Sequence, residues 1–173
     1  MFNVGKIIDS DILEEMAEEC LGKNWASHQS ATSSNGDIQS EPTYDEDRTS
    51  KTLVCRYEVY PEFCQQLEEW VADGSKVNQL DLLVYEKGDK FIPHYDDLGD
   101  GHRHWSTSTI LYLSEDYKGD GLRLYHEPHS KDHTIPRQEV GDTIIFKSKE
   151  VYHEAAPVEQ GVRIVAVAWL GYE

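Results

Sequence analysis

A chain of 173 residues is long enough to close one hydrophobic core and short for two. With 38% hydrophobic and 28% charged residues it reads as one folded domain, and no apolar run approaches the length that spans a bilayer. The formal charge of −17, from 33 acidic against 16 basic side chains, repels phosphate backbones. That disfavours nucleic acid as a partner and favours a basic protein or peptide.

The chain opens with a short apolar strand, Phe2 to Ile8, without the apolar stretch of a signal peptide. A helix follows, capped by Ser10 or Asp11, with Ile12, Leu13, Met16, Ala17, Cys20 and Leu21 on one face. Residues 22–51 turn polar and read either as a lid that orders over substrate, the favoured expectation, or as plain disorder. Thr52 to Tyr60 alternates as a strand. Pro61 then opens a second helix, whose apolar stripe is Phe63, Leu67, Trp70 and Val71 and which Gly74 ends. Cys20, Cys55 and Cys64 are odd in number and widely spaced, which gives neither a disulfide framework nor a zinc pattern. Free thiols, with Cys20 and Cys64 facing the core, suit a soluble cytoplasmic protein.

From residue 78 the pattern becomes short strands divided by turns. These are Leu80–Glu86, Phe91–Tyr95, Thr107–Ser114, Leu122–Tyr125, Thr143–Phe146, Val151–Ala156 and Arg163–Leu170, with turns near residues 88, 100, 119 and 141. The fold class expected is mainly β with flanking helices (α+β): a double-stranded β-helix, or jelly roll, with N-terminal helices packed on one sheet. Residues 1–75 supply helical support and the polar loop, and residues 76–173 the core of the single domain.

In an extended segment, residues two apart share a face, so His94 and Asp96 can meet one metal ion. A lone His-x-Asp is weak evidence, because surface pairs of this kind arise by chance. A second histidine on a later strand changes the weight, because two histidines and a carboxylate leave open positions on a non-haem iron. His153, in a short apolar piece, is that candidate. Arg163 opens a wholly apolar strand and needs an anion if it points inward. The anion is either an acidic side chain of the protein or the carboxylate of a bound dicarboxylate. His102, His104, His126, His129 and His133 lie in polar stretches and read as surface residues. Trp25, Tyr44, Trp105 and Tyr125 are candidates for a groove wall or for core packing.

The ordered segments of residues 80–170 resemble the prolyl-4-hydroxylase-like branch of the iron(II)- and 2-oxoglutarate-dependent oxygenases. Tyr85-x-x-Gly88-x-x-Phe91-x-x-His94-x-Asp96 looks like the family's first iron segment. Ile110 to Ser114 looks like the strand whose tyrosine faces the cosubstrate, and Gly119 to Leu124 is similar to the glycine-rich turn. His153, Pro157-Val158, Gly161, Arg163 and Trp169 resemble the last segment. The resemblance implies iron ligation by His94, Asp96 and His153. It also implies a 2-oxoglutarate anchor at Arg163, with Tyr112 and Tyr85 hydrogen-bonding nearby; Arg123 and Arg137 are the next arginines to consider for that role. It further implies oxidative decarboxylation to succinate, hydroxylation of a C–H bond on a prolyl residue or a related amino acid, and ascorbate as reductant. Alternatives are a biosynthetic small-molecule oxygenase and a non-catalytic metal-binding jelly roll. The chain departs from the pattern in Gly119-Asp120-Gly121, where the family has Gly-Gly-Glu. Trp105 also stands at the spacing of a family arginine, and Arg163 where many members have lysine.

Overall fold

The computed structural model describes residues 2–22, 48–55, 57–97, 99 and 104–172. The elements, in chain order, begin with β1 (Phe2–Lys6), α1 (Ser10–Gly22), β2 (Lys51–Cys55), α2 (Pro61–Val71), β3 (Lys76–Tyr85), β4 (Phe91–His94) and β5 (Trp105–Tyr112). They continue with β6 (Tyr117–Lys118), β7 (Leu122–Tyr125), β8 (His133–Thr134), β9 (Asp142–Lys147), β10 (His153–Ala155), β11 (Gln160–Gly161) and β12 (Arg163–Gly171). Six strands form the major sheet, in the order β1-β9-β5-β12-β3-β2, and four the minor sheet, β4-β10-β7-β8. A two-stranded ribbon pairs β11 with β6. All the strand pairs are antiparallel, the jelly-roll arrangement the strand spacing predicts.

Central strand β12 is buried at every position, so its two faces serve two cores. Ile164, Ala166, Ala168 and Leu170 meet α1 and α2 through Met16, Phe63 and Leu67. Val165, Val167 and Trp169 face the minor sheet through Leu122, Leu124 and Ala155. Period-two alternation therefore puts the helices on one side of the major sheet and the inter-sheet cavity on the other. Cys20 and Cys64 are buried in the core beneath the helices, as the helical spacing predicts. No described helix is long and apolar enough to cross a membrane.

Several boundaries differ from the sequence pattern. Between Thr52 and Tyr60 the extended chain stops at Cys55, and Tyr57–Val59 form a 3-10 turn leading into Pro61. Helix α2 ends not at Gly74 but at Ala72, which takes the left-handed conformation (φ 54°) and donates its N–H to the Glu68 carbonyl. Helix α1 begins one residue early, with the Asp9 carbonyl accepting from the N–H groups of Ile12 and Leu13. The lid expected over residues 22–51 lies, for residues 23–47, outside the described residues.

Asp142, buried at the start of β9, ties that strand to the preceding turn. It accepts hydrogen bonds from Arg137 Nε (2.9 Å), Arg137 Nη2 (2.8 Å) and the Glu139 N–H (2.9 Å). Burial alone would raise its carboxyl, but these bonds and the charges of Lys6 and Arg137 outweigh burial and hold it below the usual carboxylate value. A depressed folded pKa stabilises the fold above the unfolded value and stops doing so as pH falls through the folded one. Asp142→Asn should therefore lower the urea midpoint at neutral pH. The gap to the parent should close as pH falls below about 4, followed by circular dichroism at each pH.

Candidate active site

The inter-sheet cavity is narrow and mostly apolar, lined among others by Leu83, Ile110, Leu122, Val165 and Val167. His94, Asp96 and His153 meet at one side of it, and the ligand atoms they offer all lie within 4.8 Å of one another. His153 sits directly opposite His94 in the β10–β4 pairing, whereas Ala155 pairs with Phe91. Four residues of β4, Phe91 to His94, thus span what three span on β10. This bulge, at Ile92-Pro93, turns both Phe91 and His94 into the cavity. Their rings stack with centroids 3.6 Å apart.

Backbone carbonyls orient both imidazoles. His94 Nδ1 lies 2.6 Å from the Ile92 carbonyl and His153 Nδ1 lies 3.0 Å from that of Val151. A proton on each Nδ1 satisfies these contacts and leaves each Nε2 lone pair aimed at Asp96. The Nε2 atoms lie 3.2 Å (His94) and 3.3 Å (His153) from Asp96 Oδ1. Asp96 Oδ2 is taken by other donors, Ser108 Oγ at 2.5 Å and Trp169 Nε1 at 3.0 Å. One carboxylate oxygen is therefore committed to the protein and the other is presented with the two imidazoles.

The electrostatics of the three side chains suit a cation between them. Burial would raise the Asp96 carboxyl, yet the charge and hydrogen bonds of the two histidines hold it well below the usual range. Burial, with the charge of His153, pushes His94 down; burial opposes protonation of His153 too, but Asp96 outweighs it and raises that imidazole. Two imidazoles and one carboxylate in this face-sharing arrangement fit a divalent metal with open positions.

At another point of the cavity lies Arg163, 1% exposed, with Nε and Nη1 lacking any hydrogen-bond partner. No acidic side chain among the described residues pairs with it. Its guanidinium carbon stands 4.9 Å from the Tyr85 ring centroid and 5.6 Å from that of Tyr112. The Tyr112 hydroxyl is also buried without a partner, and burial raises its pKa despite the nearby Arg163. A carboxylate is the group that satisfies a guanidinium fork and a phenol together. Tyr85 meets Arg163 with its ring face, where the resemblance implies a hydrogen bond. Arg123 and Arg137 are engaged elsewhere, Arg123 with Asp120 and Glu154, Arg137 with Asp142.

Other candidates fall outside the cavity. His104, His126, His129 and His133 are exposed, and His102, Trp25 and Tyr44 lie outside the described residues. Trp105 stacks on Trp169 at 4.6 Å, and Tyr125 bonds Glu154 on the outer side of the minor sheet. Asp97 pins the following loop by accepting from the N–H groups of Gly99 and Trp105. Sequence reasoning missed Ser108 and Arg48, which also lines the cavity. Ser108 carried a signal, a small polar residue in register with Ile110 and Tyr112 on an otherwise apolar strand face.

A model of the 2OG-Fe(II) oxygenase superfamily matches residues 80–171. A PKHD-type hydroxylase of Maricaulis maris is 30% identical over 86 residues, 50% of this chain but only 38% of that protein. The crystal structure of a Pseudomonas putida prolyl-4-hydroxylase superposes with a TM-score of 0.70 at 16% identity, over 99% of this chain and 92% of that one. A Trichoplax adhaerens prolyl hydroxylase, solved with a hypoxia inducible factor peptide fragment, gives 0.69 at 14% identity, over 98% and 83%. At these identities the two structures speak to the fold.

The hydrogen bond from Ser108 makes Asp96 a one-oxygen donor, so Ser108→Ala should weaken divalent metal binding by about 10- to 100-fold. Titration with cobalt(II), followed by its visible absorbance, measures this; unchanged affinity would mean that Asp96 is held without Ser108.

Proposed function

The chain belongs to the 2OG-Fe(II) oxygenase superfamily, and from that premise we propose that it hydroxylates a C–H bond on a prolyl residue of a peptide or protein, or on a related free amino acid. One observation carries the reading. A buried guanidinium with no acidic partner among the described residues shares a narrow cavity with three convergent metal donors. Bound iron(II) and 2-oxoglutarate supply the oxidising chemistry, in which the keto acid loses carbon dioxide to give succinate and dioxygen provides the hydroxyl oxygen.

The chain's own residues orient and enclose. His94 Nε2, His153 Nε2 and Asp96 Oδ1 would hold the metal. Ser108 and Trp169 keep Asp96 from turning. Arg163 and Tyr112 take the distal carboxylate of 2-oxoglutarate, and Tyr85 walls the guanidinium. Leu83, Ile110, Leu122, Val165 and Val167 exclude water, which strengthens that ion pair and protects the reaction. Asp96 fills a ligand position that a halide would need, which supports hydroxylation over halogenation. The prolyl hydroxylases whose fold it shares support a prolyl target. A second arginine in the cavity favours the free amino acid or another small acid as the alternative.

His153→Ala should abolish iron-dependent formation of succinate from 2-oxoglutarate; full activity in that variant would remove the assignment. Arg163→Met leaves a buried carboxylate unpaired at about 3–5 kcal/mol, which is several hundred-fold or more in 2-oxoglutarate affinity. Metal binding should survive that change. Arg163→Lys should be milder, since the charge stays and the two-pronged geometry goes. Titration of the iron–2-oxoglutarate absorbance without oxygen distinguishes the three proteins.

A further inference from the structure

Arg48 reaches the cavity from a part of the chain outside the matched family segment. Its backbone is fastened beside the first metal segment by a bridge to Phe91. The neighbouring Thr49 N–H donates to the Lys90 carbonyl at 2.8 Å, and the Lys90 N–H donates to Thr49 Oγ1 at 3.0 Å. The guanidinium carbon stands 5.1 Å from the centroid of Phe91, whose ring stacks on His94. Arg48 is thus one aromatic ring away from a metal donor.

Its hydrogen-bonding capacity is underused. The side chain is 12% exposed, and Nε is buried without a partner. Its ion-pair partner among the described residues is Asp81, whose Oδ2 lies 3.8 Å from Nη2, beyond hydrogen-bond length. Both Asp81 oxygens also accept from Gln79 Nε2, at 3.1 and 3.2 Å. A guanidinium with an unfilled Nε edge inside a cavity is a site for an incoming anion.

That anion is not the one at Arg163. In the β12–β3 register, Arg163 pairs with Tyr85, and Trp169, which holds Asp96, pairs with Gln79. Asp81 is four residues from Tyr85 on the same strand face, on the order of 13 Å at the rise of a strand. The Arg48 guanidinium, which reaches toward Asp81 and lies over Phe91 beside His94, therefore sits nearer the metal donors along β3 than Arg163 does. By the reading above, 2-oxoglutarate has one carboxylate on Arg163 and the other on the metal. Neither remains for Arg48.

We propose that Arg48 is the subsite for a carboxylate of the primary substrate, so that the molecule oxidised is a small free acid: an amino acid, or a peptide whose reacting residue carries its own C-terminal carboxylate. This rests on the oxygenase reading and narrows its substrate class. An acid gripped at Arg48 places a nearby C–H beside His94 and the metal, and binding to an oriented fork costs little further ordering. The carboxylate also needs a local cation to enter a protein of net charge −17.

The test uses the full chain with iron(II), 2-oxoglutarate and ascorbate. Free L-amino acids and short peptides ending in proline are each assayed beside their C-terminal amides. The readouts are succinate formation and a gain of one oxygen atom by mass spectrometry. At least one acid should raise succinate formation with a kcat/KM about 10- to 100-fold above that of its amide, the worth of a charge-assisted hydrogen bond. Arg48→Gln should bring that ratio close to one, and Arg48→Lys should restore part of it. Circular dichroism melts of both variants report whether they fold. Acids and amides treated alike by the parent, or an acid preference that survives Arg48→Gln, would overturn the subsite. So would a tenfold loss of 2-oxoglutarate affinity in Arg48→Gln with the acid preference intact, which would give Arg48 to the cosubstrate. A parent enzyme that converts no 2-oxoglutarate at all fails one step earlier, at the oxygenase reading, and the subsite falls with it.

Discussion

Strand β12 is paired on both edges and buried on both faces, and the position of every other functional group follows from that confinement. Successive side chains of such a strand must go to opposite sides. Ile164, Ala166, Ala168 and Leu170 are consumed by the helices. Arg163, Val165, Val167 and Trp169 line the cavity. A one-residue slip would bury the guanidinium under α1 and α2 and remove the indole from Asp96. The extensive apolar pairing that forbids a slip therefore also places the charged groups at the two ends of the strand.

The polar groups of the otherwise apolar cavity are few, and most have directed partners. Asp96 is held by a serine on β5 and a tryptophan on β12, both strands of the major sheet. Its histidine neighbours come from the minor sheet. The candidate metal position thus joins the two sheets, and a divalent ion there would offset the charge of a carboxylate that is almost wholly out of water. The bulge of β4 is what makes the meeting possible, since regular pairing would turn Phe91 and His94 to opposite sides.

Net charge and site charge have opposite signs. The surface carries a large excess of acid, whereas the cavity contains two guanidinium groups, Arg163 and Arg48. Surface charge of this size bears on solubility and on which macromolecules approach. Inside the cavity, low polarity makes each arginine a strong and short-ranged selector for carboxylates. An acidic protein can in this way handle acidic small molecules, with selection confined to the interior.

Much of this was legible in the chain itself. The period-two pattern of residues 163–170, the helical stripe of Phe63 and Leu67 and the ordered segments around His94, Asp96, His153 and Arg163 are local signals, and they located the strands, the helices and the candidate ligands. Local pattern failed where two conformations cost nearly the same, as at Tyr57–Val59, where alternating residues turn into a 3-10 helix, and at Ala72, which takes the left-handed position expected of Gly74. Only the tertiary structure placed Ser108 and Trp169 on Asp96, across 12 and 73 residues of chain, and Arg48 over Phe91 across 43. Periodicity settles which face of its own strand a side chain takes. Which strand lies opposite depends on closing long loops and on the packing of both sheets at once, and that information is held by no single segment.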